Sequence, residues 1–188
     1  SFTRQMQPKG LGHAVWCARD IIGREPFAVI LPDVIVDGQP GALKQLADSY
    51  AELGGNIIGV EAVDIAQAHK YGIVDPAERD GRRFTMKGMV EKPAPGTAPS
   101  NLSIAGRYIL QPEIFDVLAD QEAGAGGEIQ LTDAMARLMT QQLFTAIEYE
   151  GVTHDCGDKI GLLKANVALA LKRPDLGDAA RSAISGLL

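Results

Sequence analysis

The order in which helical patterns and short apolar runs alternate is the strongest constraint on the fold of this chain. Apolar residues recur at helical spacing over residues 12–22 and again over residues 43–53. A short apolar run follows each pattern, over residues 27–31 and residues 56–63, and predicts a strand buried on both faces. Because helices between buried strands connect parallel neighbours, the sequence predicts an α/β fold with a mixed, mainly parallel sheet.

The remainder of the chain predicts a hairpin, two further strands and a helical C-terminus. Residues 72–75 and residues 84–91 flank the turn pair Asp80-Gly81, a pattern typical of a hairpin. Strands are predicted over residues 102–110 and 144–149. Helices are predicted over residues 112–118, 131–139, 160–171 and 178–188, with Thr132 or Asp133 as the N-cap of the second helix and Pro174 between the last two.

Length and charge narrow the class of protein. The 188 residues predict one domain, or one domain with an extension. With 18 basic and 24 acidic side chains, the net charge of −6 argues against nucleic-acid binding, which needs clustered Lys and Arg. The apolar runs are far shorter than the ~20 residues of a membrane span, so no membrane association is expected. Cys17 and Cys156 are far apart and form no CxxC, which favours free thiols and a cytoplasmic location.

A glycine-rich segment, Gly10-Leu-Gly-His-Ala, opens the first helical pattern. The start of a helix has unpaired N–H groups that can meet a phosphate or a base edge. The segment is not the dinucleotide fingerprint, because Val15 stands where the third glycine belongs and no strand precedes it. An ordinary tight turn is the alternative interpretation.

Two acidic positions follow extended segments. Asp33 comes directly after the apolar run 27–31, where a carboxylate can hold Mg²⁺ at the carboxyl end of a strand. Its alternative role is to cap a turn. His154-Asp155-Cys156-Gly157-Asp158 supplies the second acidic position and lacks the spaced ligand pairs of a zinc site. Asp158 can instead cap the helix that follows.

The dipeptide Glu91-Lys92 ends a predicted strand. A carboxylate accepts hydrogen bonds from sugar hydroxyls, and an ammonium group neutralises phosphate. Strand alternation sends the two side chains to opposite faces unless the strand bends, and a pair of surface residues is the alternative. No sequence pattern of nucleophilic catalysis is present, since the chain lacks G-x-S-x-G and neither cysteine has an evident His and acid partner.

The motifs together, in their order along the chain, resemble the bacterial UTP–glucose-1-phosphate uridylyltransferases, which are the UDP-glucose pyrophosphorylases of the nucleotidyltransferase family. The resemblance extends to about Pro174, which implies one domain over residues 1–174 and a helical extension over residues 175–188. It depends on the following series: Gln5, Gly10-Leu-Gly-His-Ala, Leu31-Pro-Asp33-Val, Lys70-Tyr-Gly72-Ile, Val90-Glu91-Lys92-Pro, Gly106-Arg-Tyr, Gly127-Glu-Ile-Gln-Leu-Thr-Asp133 and Asp155-Cys-Gly-Asp158-Lys.

The resemblance implies an enzyme that joins glucose 1-phosphate to UTP and releases pyrophosphate, with Mg²⁺ as cofactor and UDP-glucose as product. It implies a Rossmann-like fold of the nucleotide-sugar transferase type, a small hairpin region on the sugar side, and a homo-oligomer with the C-terminal helices as candidate contacts. The reaction needs no protein nucleophile, because positioning and charge neutralisation supply most of the acceleration.

Roles for individual residues also follow from the resemblance. On the nucleotide side, Gln5 and Gly10 would contact the uracil, where the Gln5 amide can offer both a donor and an acceptor, and Gly12 would also lie against the nucleotide. The resemblance also implies that Asp33 binds the nucleotide and that Asp33 and Asp155 are Mg²⁺ ligands. It implies Lys92 on the sugar phosphate, with Lys92 and Asp33 as the catalytic pair. Around the glucose it implies Gly72, Glu91, Gly106 and Glu128.

One departure from the family pattern generates a further expectation. Family members begin with a strand and a G-x-G-T-R-type triphosphate loop, and nothing in residues 1–5 corresponds to them. These 188 residues alone are therefore expected not to catalyse transfer, and an exposed strand edge is expected to cause self-association or reduced stability. Two alternatives stay open: a related transferase for thymidylyl groups or another hexose phosphate, since Gln5 does not exclude thymine, and a non-catalytic binding module of the same fold.

Overall fold

A computed structural model describes residues 1–120 and 122–187. The chain divides into two compact units. The first, here called the sheet unit, comprises Ser1–Ile30 and Ala42–Tyr149, and the second, the C-terminal unit, comprises Leu31–Gly41 and Glu150–Leu188. The boundary at residue 174 and the helical extension beyond it stay a prediction.

The sheet unit contains a six-stranded sheet. Its order is β1-β6-β3-β7-β5-β4 when all strands of the chain are numbered in sequence. The six strands are β1 (Phe27–Ile30), β3 (Asn56–Ala62), β4 (Gly72–Asp80), β5 (Arg83–Glu91), β6 (Leu102–Leu110) and β7 (Phe144–Glu148). The α/β fold, the hairpin β4–β5 and the strands over residues 102–110 and 144–149 are thus confirmed.

Five short or medium helices accompany this sheet: α1 (Leu11–Trp16), α2 (Arg19–Ile22), α3 (Ala42–Leu53), α4 (Ile114–Ala119) and α5 (Leu131–Leu138). The predicted single helix over residues 12–22 is interrupted, because the Ala18 N–H bonds back to the Val15 carbonyl in a tighter turn. The predicted N-cap of α5 is also wrong. Gln130 occupies the N-cap position, so Thr132 lies inside the first turn of the helix.

The pairing of strands corrects the expectation of a mainly parallel sheet. The sheet is mixed, but among the described residues only β3 and β7 pair in parallel. β6 lies between β1 and β3 and is antiparallel to both. β1 and β3 therefore run in the same direction, as expected for strands joined by a helical crossover. They are not neighbours, because β6 lies between them, and local sequence patterns do not reveal this insertion.

β1 departs from the predicted strand buried on both faces. Ala28 and Ile30 are exposed, and Ile30 keeps 50% of its surface accessible. β1 ends the sheet order and pairs with β6 alone among the described strands. The other predicted buried strand is confirmed, since Ile57 and Ile58 of β3 are fully buried.

The C-terminal unit contains a two-stranded antiparallel ribbon and two helices. The ribbon pairs β2 (Val34–Asp37) with β8 (Val152–Asp155), and the helices are α6 (Lys159–Lys172) and α7 (Gly177–Ser185). The ribbon was not predicted, whereas both helices were. Asp158 caps α6 by accepting hydrogen bonds from the backbone N–H groups of Ile160 and Gly161, which confirms its structural interpretation. Over the described part of the chain, no helix is long and apolar enough to cross a membrane.

Leu46 is the side chain of α3 on which the packing of the sheet unit most depends, because it is fully buried against Ile57, Ile109 and Ile147. We expect Leu46→Ala to lower the free energy of unfolding by about 2–5 kcal/mol, through lost burial and the cavity that remains. Leu53→Ala in the same helix is the control. Its side chain is 36% exposed, and its effect should stay near about 0.5 kcal/mol. Equal effects in urea denaturation would contradict this description of the core.

Candidate functional site

The segment before α1 is held against the segment before α5 by two backbone hydrogen bonds. The Gly12 N–H donates to the Ile129 carbonyl at 2.8 Å, and the Ile129 N–H donates to the Lys9 carbonyl at 2.7 Å. A Cβ atom on Gly10 or on Gly12 would lie 2.8 Å from the Ile129 oxygen, closer than side chains tolerate. Gly10 also has a φ of 99°, a conformation that favours glycine.

These contacts change the interpretation of the glycine-rich start of α1. The Gly12 N–H is already used, so it is not one of the free helix-end donors that a phosphate would need. The two glycines permit close approach of the backbone to Ile129. Glu128, predicted on the sugar side, lies beside Gly10, because a Cβ on Gly10 would be 2.8 Å from the Glu128 Cβ. Glu128 is exposed and accepts a hydrogen bond from Gln130 at 3.3 Å.

Gln5 lies over this segment and is half-buried. Its Nε2 donates to the Gly10 carbonyl at 3.0 Å and lies 2.9 Å from Nδ1 of His13. The expectation that the Gln5 amide offers both a donor and an acceptor to a base is therefore corrected, because both amide hydrogens have partners within the protein. His13 itself stacks on Trp16 with 5.9 Å between ring centroids.

Gly72, Glu91 and Thr132 meet at the open end of the β4–β5 hairpin. Gly72 and Glu91 face each other in the strand register, and the Thr132 hydroxyl donates to Glu91 Oε2 at 2.6 Å. A Cβ on Gly72 would lie 2.9 Å from that same oxygen and 3.0 Å from the Thr132 hydroxyl. The carboxylate thus lies directly over the glycine, and Thr132, which is 6% exposed, holds one of its two oxygens.

The chain turns sharply after Glu91. Lys92 has a φ of 45°, the one positive value recorded for a described residue other than glycine. Its N–H donates to the Tyr71 carbonyl at 3.0 Å. This bend interrupts the strand, so the alternation that would send the Glu91 and Lys92 side chains to opposite faces does not apply at this position.

Gly106 lies within β6 and is buried, with a φ of 66° that favours glycine. The register between β3 and β6 shifts at this point, between Ile58 and Val60. A bulge of this kind re-aims the backbone locally and is frequent beside functional sites.

Asp33 and Asp155 meet in the C-terminal unit, at one end of the β2–β8 ribbon. The Cys156 N–H donates to the Asp33 carbonyl at 2.7 Å, and the Gly157 N–H donates to Asp155 Oδ1 at 2.9 Å. A Cβ on Gly157 would lie 3.0 Å from Asp155 Oδ1 and 3.6 Å from Asp33 Oδ2. Both carboxylates therefore border the one space that the absence of a side chain at Gly157 leaves open.

This space suits a hard cation. Mg²⁺ prefers one or two carboxylates together with water and substrate phosphates, rather than a complete protein cage. Both aspartates are exposed, which leaves access for such ligands. Among residues 1–120 and 122–187, no group of three or more His, Cys, Asp or Glu could hold a metal ion.

Two residues that contact the predicted site residues were not themselves predicted to belong to the site. Thr132 lies in the motif that ends at Asp133, but its sequence pattern favoured an N-cap role and gave no sign of its contact with Glu91. His13 lies in the glycine-rich segment, and its spacing of eight residues from Gln5 is not a recognisable signal. Both contacts depend on how separate segments are brought together.

Comparison with known proteins decides the family. The sequence profile described as "Nucleotidyl transferase" matches residues 1–171. This chain belongs to the nucleotidyl transferase family. Members of the family generally use a divalent metal ion.

Individual relatives of this nucleotidyl transferase confirm the resemblance found in the sequence. UTP–glucose-1-phosphate uridylyltransferase of Bacillus subtilis is 49% identical over 187 residues, which are 100% of this chain and 64% of the relative. UTP–glucose-1-phosphate uridylyltransferase 2 of Staphylococcus saprophyticus is 51% identical over 177 residues, 94% of this chain and 61% of the relative. The chain thus spans less than two thirds of the length of these two relatives.

A solved structure described as UDP-glucose pyrophosphorylase complexed with UDP-glucose has the same fold. Its TM-score is 0.89 at 39% sequence identity, over 92% of this chain and 66% of the solved chain. The predicted nucleotidyltransferase fold class is confirmed by this similarity.

Asp133 follows Thr132 directly, and its surroundings shift the pKa of its carboxyl group. Burial raises its carboxyl pKa above the ordinary value of 3.8. The folded protein therefore binds a proton more tightly there than the unfolded chain does, and stability contributed by this proton is lost as pH rises from about 3.8 through the raised pKa.

We expect Asp133→Asn to remove the pH-dependent loss of stability that Asp133 causes. The free energy of unfolding of the wild type minus that of the variant should fall as pH rises from about 3.8 through the raised pKa of Asp133, and then stay level. Denaturant unfolding measured at several pH values checks the result, and a wild-type minus variant difference that is constant with pH would contradict it.

Proposed function

We propose that this chain forms the nucleotide- and sugar-binding part of a UTP–glucose-1-phosphate uridylyltransferase, which makes UDP-glucose and pyrophosphate. The observation that carries the proposal is the 49–51% identity to relatives of that name over 94–100% of the chain. The clusters around Gln5, around Glu91 and around the two aspartates supply the groups that such a substrate pair needs.

The nucleotide is assigned to the segment from Gln5 to Gly12. Gln5 and Gly10 are proposed to contact the uracil edge. Gly12 is proposed to contact the nucleotide through van der Waals contacts of its backbone, because its N–H already donates to the Ile129 carbonyl.

The glucosyl phosphate is assigned to the hairpin end. Glu91 accepts hydrogen bonds from glucose hydroxyls through the oxygen that Thr132 leaves available, and Gly72 lets the backbone approach the ring. Lys92 supplies an ammonium group for the sugar phosphate. Gly106 and Glu128 are proposed to border the sugar side.

Asp33 and Asp155 are proposed to hold Mg²⁺ at the space beside Gly157. The ion would neutralise phosphate charge, which a protein of net charge −6 otherwise repels. This mediating role explains how an acidic chain accepts two anionic substrates.

The reaction itself uses positioning. An oxygen of the glucose 1-phosphate group attacks the α-phosphorus of UTP, a new O–P bond forms, and the bond to the β-phosphate oxygen breaks in line, so pyrophosphate leaves with that electron pair. Lys92 binds the attacking phosphate and lowers its repulsion from the triphosphate. Asp33 is the other proposed catalytic residue, as a ligand of the metal ion.

A cytoplasmic location and a homo-oligomer are part of the proposal. Both cysteines are free thiols, which suits a reducing compartment. Helix α6 presents Ile160 and Leu163 to solvent at 60% and 58% exposure, which supports the C-terminal helices as contacts between copies.

Calorimetric titration of the 188 residues with UDP-glucose and ADP-glucose tests the binding assignment. We expect saturable binding of UDP-glucose and much weaker binding of ADP-glucose. UDP-glucose that binds no more tightly than ADP-glucose would overturn the proposal. Transfer is tested by ³¹P NMR of UTP and glucose 1-phosphate with a protein that carries this chain at the relatives' length, where UDP-glucose and pyrophosphate should appear in equal amounts.

Gly72→Ala tests the sugar assignment. The new methyl group would displace the end of the Glu91 side chain and break its bond with Thr132, because its position is 2.9 Å from Glu91 Oε2. We expect the affinity for UDP-glucose to fall about tenfold while the affinity for UDP stays unchanged, since one charged hydrogen bond is at stake. Gly88→Ala in the same hairpin is the control, because its Cβ meets only Asp75 at 3.9 Å. Equal losses for UDP and UDP-glucose would contradict the assignment.

Asp33→Asn and Asp155→Asn test the metal assignment. Each removes one of two anionic ligands, so we expect binding of Mn²⁺, used as a probe for Mg²⁺, to weaken about tenfold or more. Water-proton relaxation measures this binding without turnover. Asp178→Asn, an exposed change in the same unit, should leave it unchanged. Wild-type Mn²⁺ affinity in both variants would remove the site.

A further inference from the structure

We propose that His13 is a positioning residue. Together with the Gly10 carbonyl, it fixes the Gln5 amide so that only the amide oxygen can meet the base. The site is therefore selective for bases that present a ring N–H. The inference rests on the proposed function in one respect, the contact between Gln5 and the base. It adds a second residue and a reason for specificity.

The orientation of the Gln5 amide is set by Gly10. A carbonyl oxygen only accepts hydrogen bonds, and the Gly10 oxygen lies 3.0 Å from Gln5 Nε2. Exchanging the amide nitrogen and oxygen would bring two acceptors together at that distance. The amide nitrogen therefore faces Gly10, and the second amide hydrogen is free to point elsewhere.

His13 accepts that second hydrogen. Its Nδ1 lies 2.9 Å from Gln5 Nε2, and because Nε2 of glutamine can only donate, Nδ1 must be the unprotonated nitrogen of a neutral ring. The ring is held in place by its stacking on Trp16, and the Arg19 guanidinium lies 3.6 Å from the centroid of the Trp16 ring. Cys17 contacts the same ring, with Sγ 3.9 Å from Nδ1 and 4.0 Å from Nε2 of His13.

The result is an amide that can only accept from a ligand. Both hydrogens are bonded internally, and within residues 1–120 and 122–187 no donor is bonded to Oε1. Uracil and thymine have an N–H at ring position 3, which can donate to Oε1. Cytosine has a lone pair there, so the same approach places two acceptors against each other. A polar site whose partner is missing rejects the wrong ligand more strongly than an apolar pocket does.

The test compares UDP-glucose with CDP-glucose by calorimetry. Wild-type protein should bind UDP-glucose more tightly. His13→Leu removes one of the two acceptors that hold the amide nitrogen, so the amide is held by Gly10 alone and turns more easily. The ratio of the two affinities should then fall about tenfold. His13→Asn keeps an acceptor oxygen near the position of Nδ1 and should restore most of the ratio. Cys17→Ser, which alters the other neighbour of the ring, should leave the ratio at its wild-type value.

The outcomes separate this inference from the proposed function. If UDP-glucose binds with wild-type selectivity in His13→Leu, the positioning role is wrong and the proposed function stands. Equal losses of affinity for both ligands in His13→Leu and His13→Asn indicate a merely structural residue and also overturn the inference. If the wild-type protein does not bind UDP-glucose, the proposed function fails and the inference fails with it.

Discussion

Two backbone hydrogen bonds between residues 9–12 and Ile129 connect the two halves of the proposed ligand site in the sheet unit. On one side they fix the segment that carries the Gly10 carbonyl and His13, which orient Gln5. On the other side, Ile129 is followed closely by α5, whose Thr132 holds Glu91. The groups proposed to contact the base and the sugar are therefore attached to the same pair of hydrogen-bonded backbone segments. A side chain at Gly10 or Gly12 would push these two backbone segments apart, because its Cβ would lie 2.8 Å from the Ile129 oxygen.

Positioning by hydrogen-bonded neighbours is common to the two clusters. Glu91 and Gln5 each have one side-chain polar atom hydrogen-bonded within the protein, and the other atom is the one proposed to meet a ligand. Such arrangements reduce the number of orientations that a side chain must give up when a ligand binds. They suit a reaction that depends on alignment of two phosphates, in which no side chain forms a covalent bond.

Local patterns in the sequence were sufficient for elements whose causes are local. Helix α3, the buried strand β3 and the β4–β5 hairpin were predicted because apolar spacing and glycine turns are encoded within each segment. The antiparallel position of β6 between β1 and β3 was not predictable, since it depends on pairing between segments distant in the chain. The β2–β8 ribbon has the same origin, as Val34 pairs with Asp155.

The candidate site divides in the same way. Asp33, Glu91, Lys92 and Asp155 were identified as chemical groups at strand ends, and the structure brings Asp33 and Asp155 together. The contact between Thr132 and Glu91 was not predictable, because the two residues are 41 positions apart in the sequence. The glycines at positions 10 and 12 were recognised by composition, but their close approach to Ile129 follows only from the tertiary fold.

A crystal structure of the protein with UDP-glucose is the decisive test of the proposed binding mode. We expect the uracil N3 to lie within hydrogen-bond distance of Gln5 Oε1, with Nε2 still bonded to the Gly10 carbonyl, and the glucose hydroxyls to contact Glu91. A uracil bound elsewhere, or a Gln5 amide turned so that Nε2 faces the base, would contradict it.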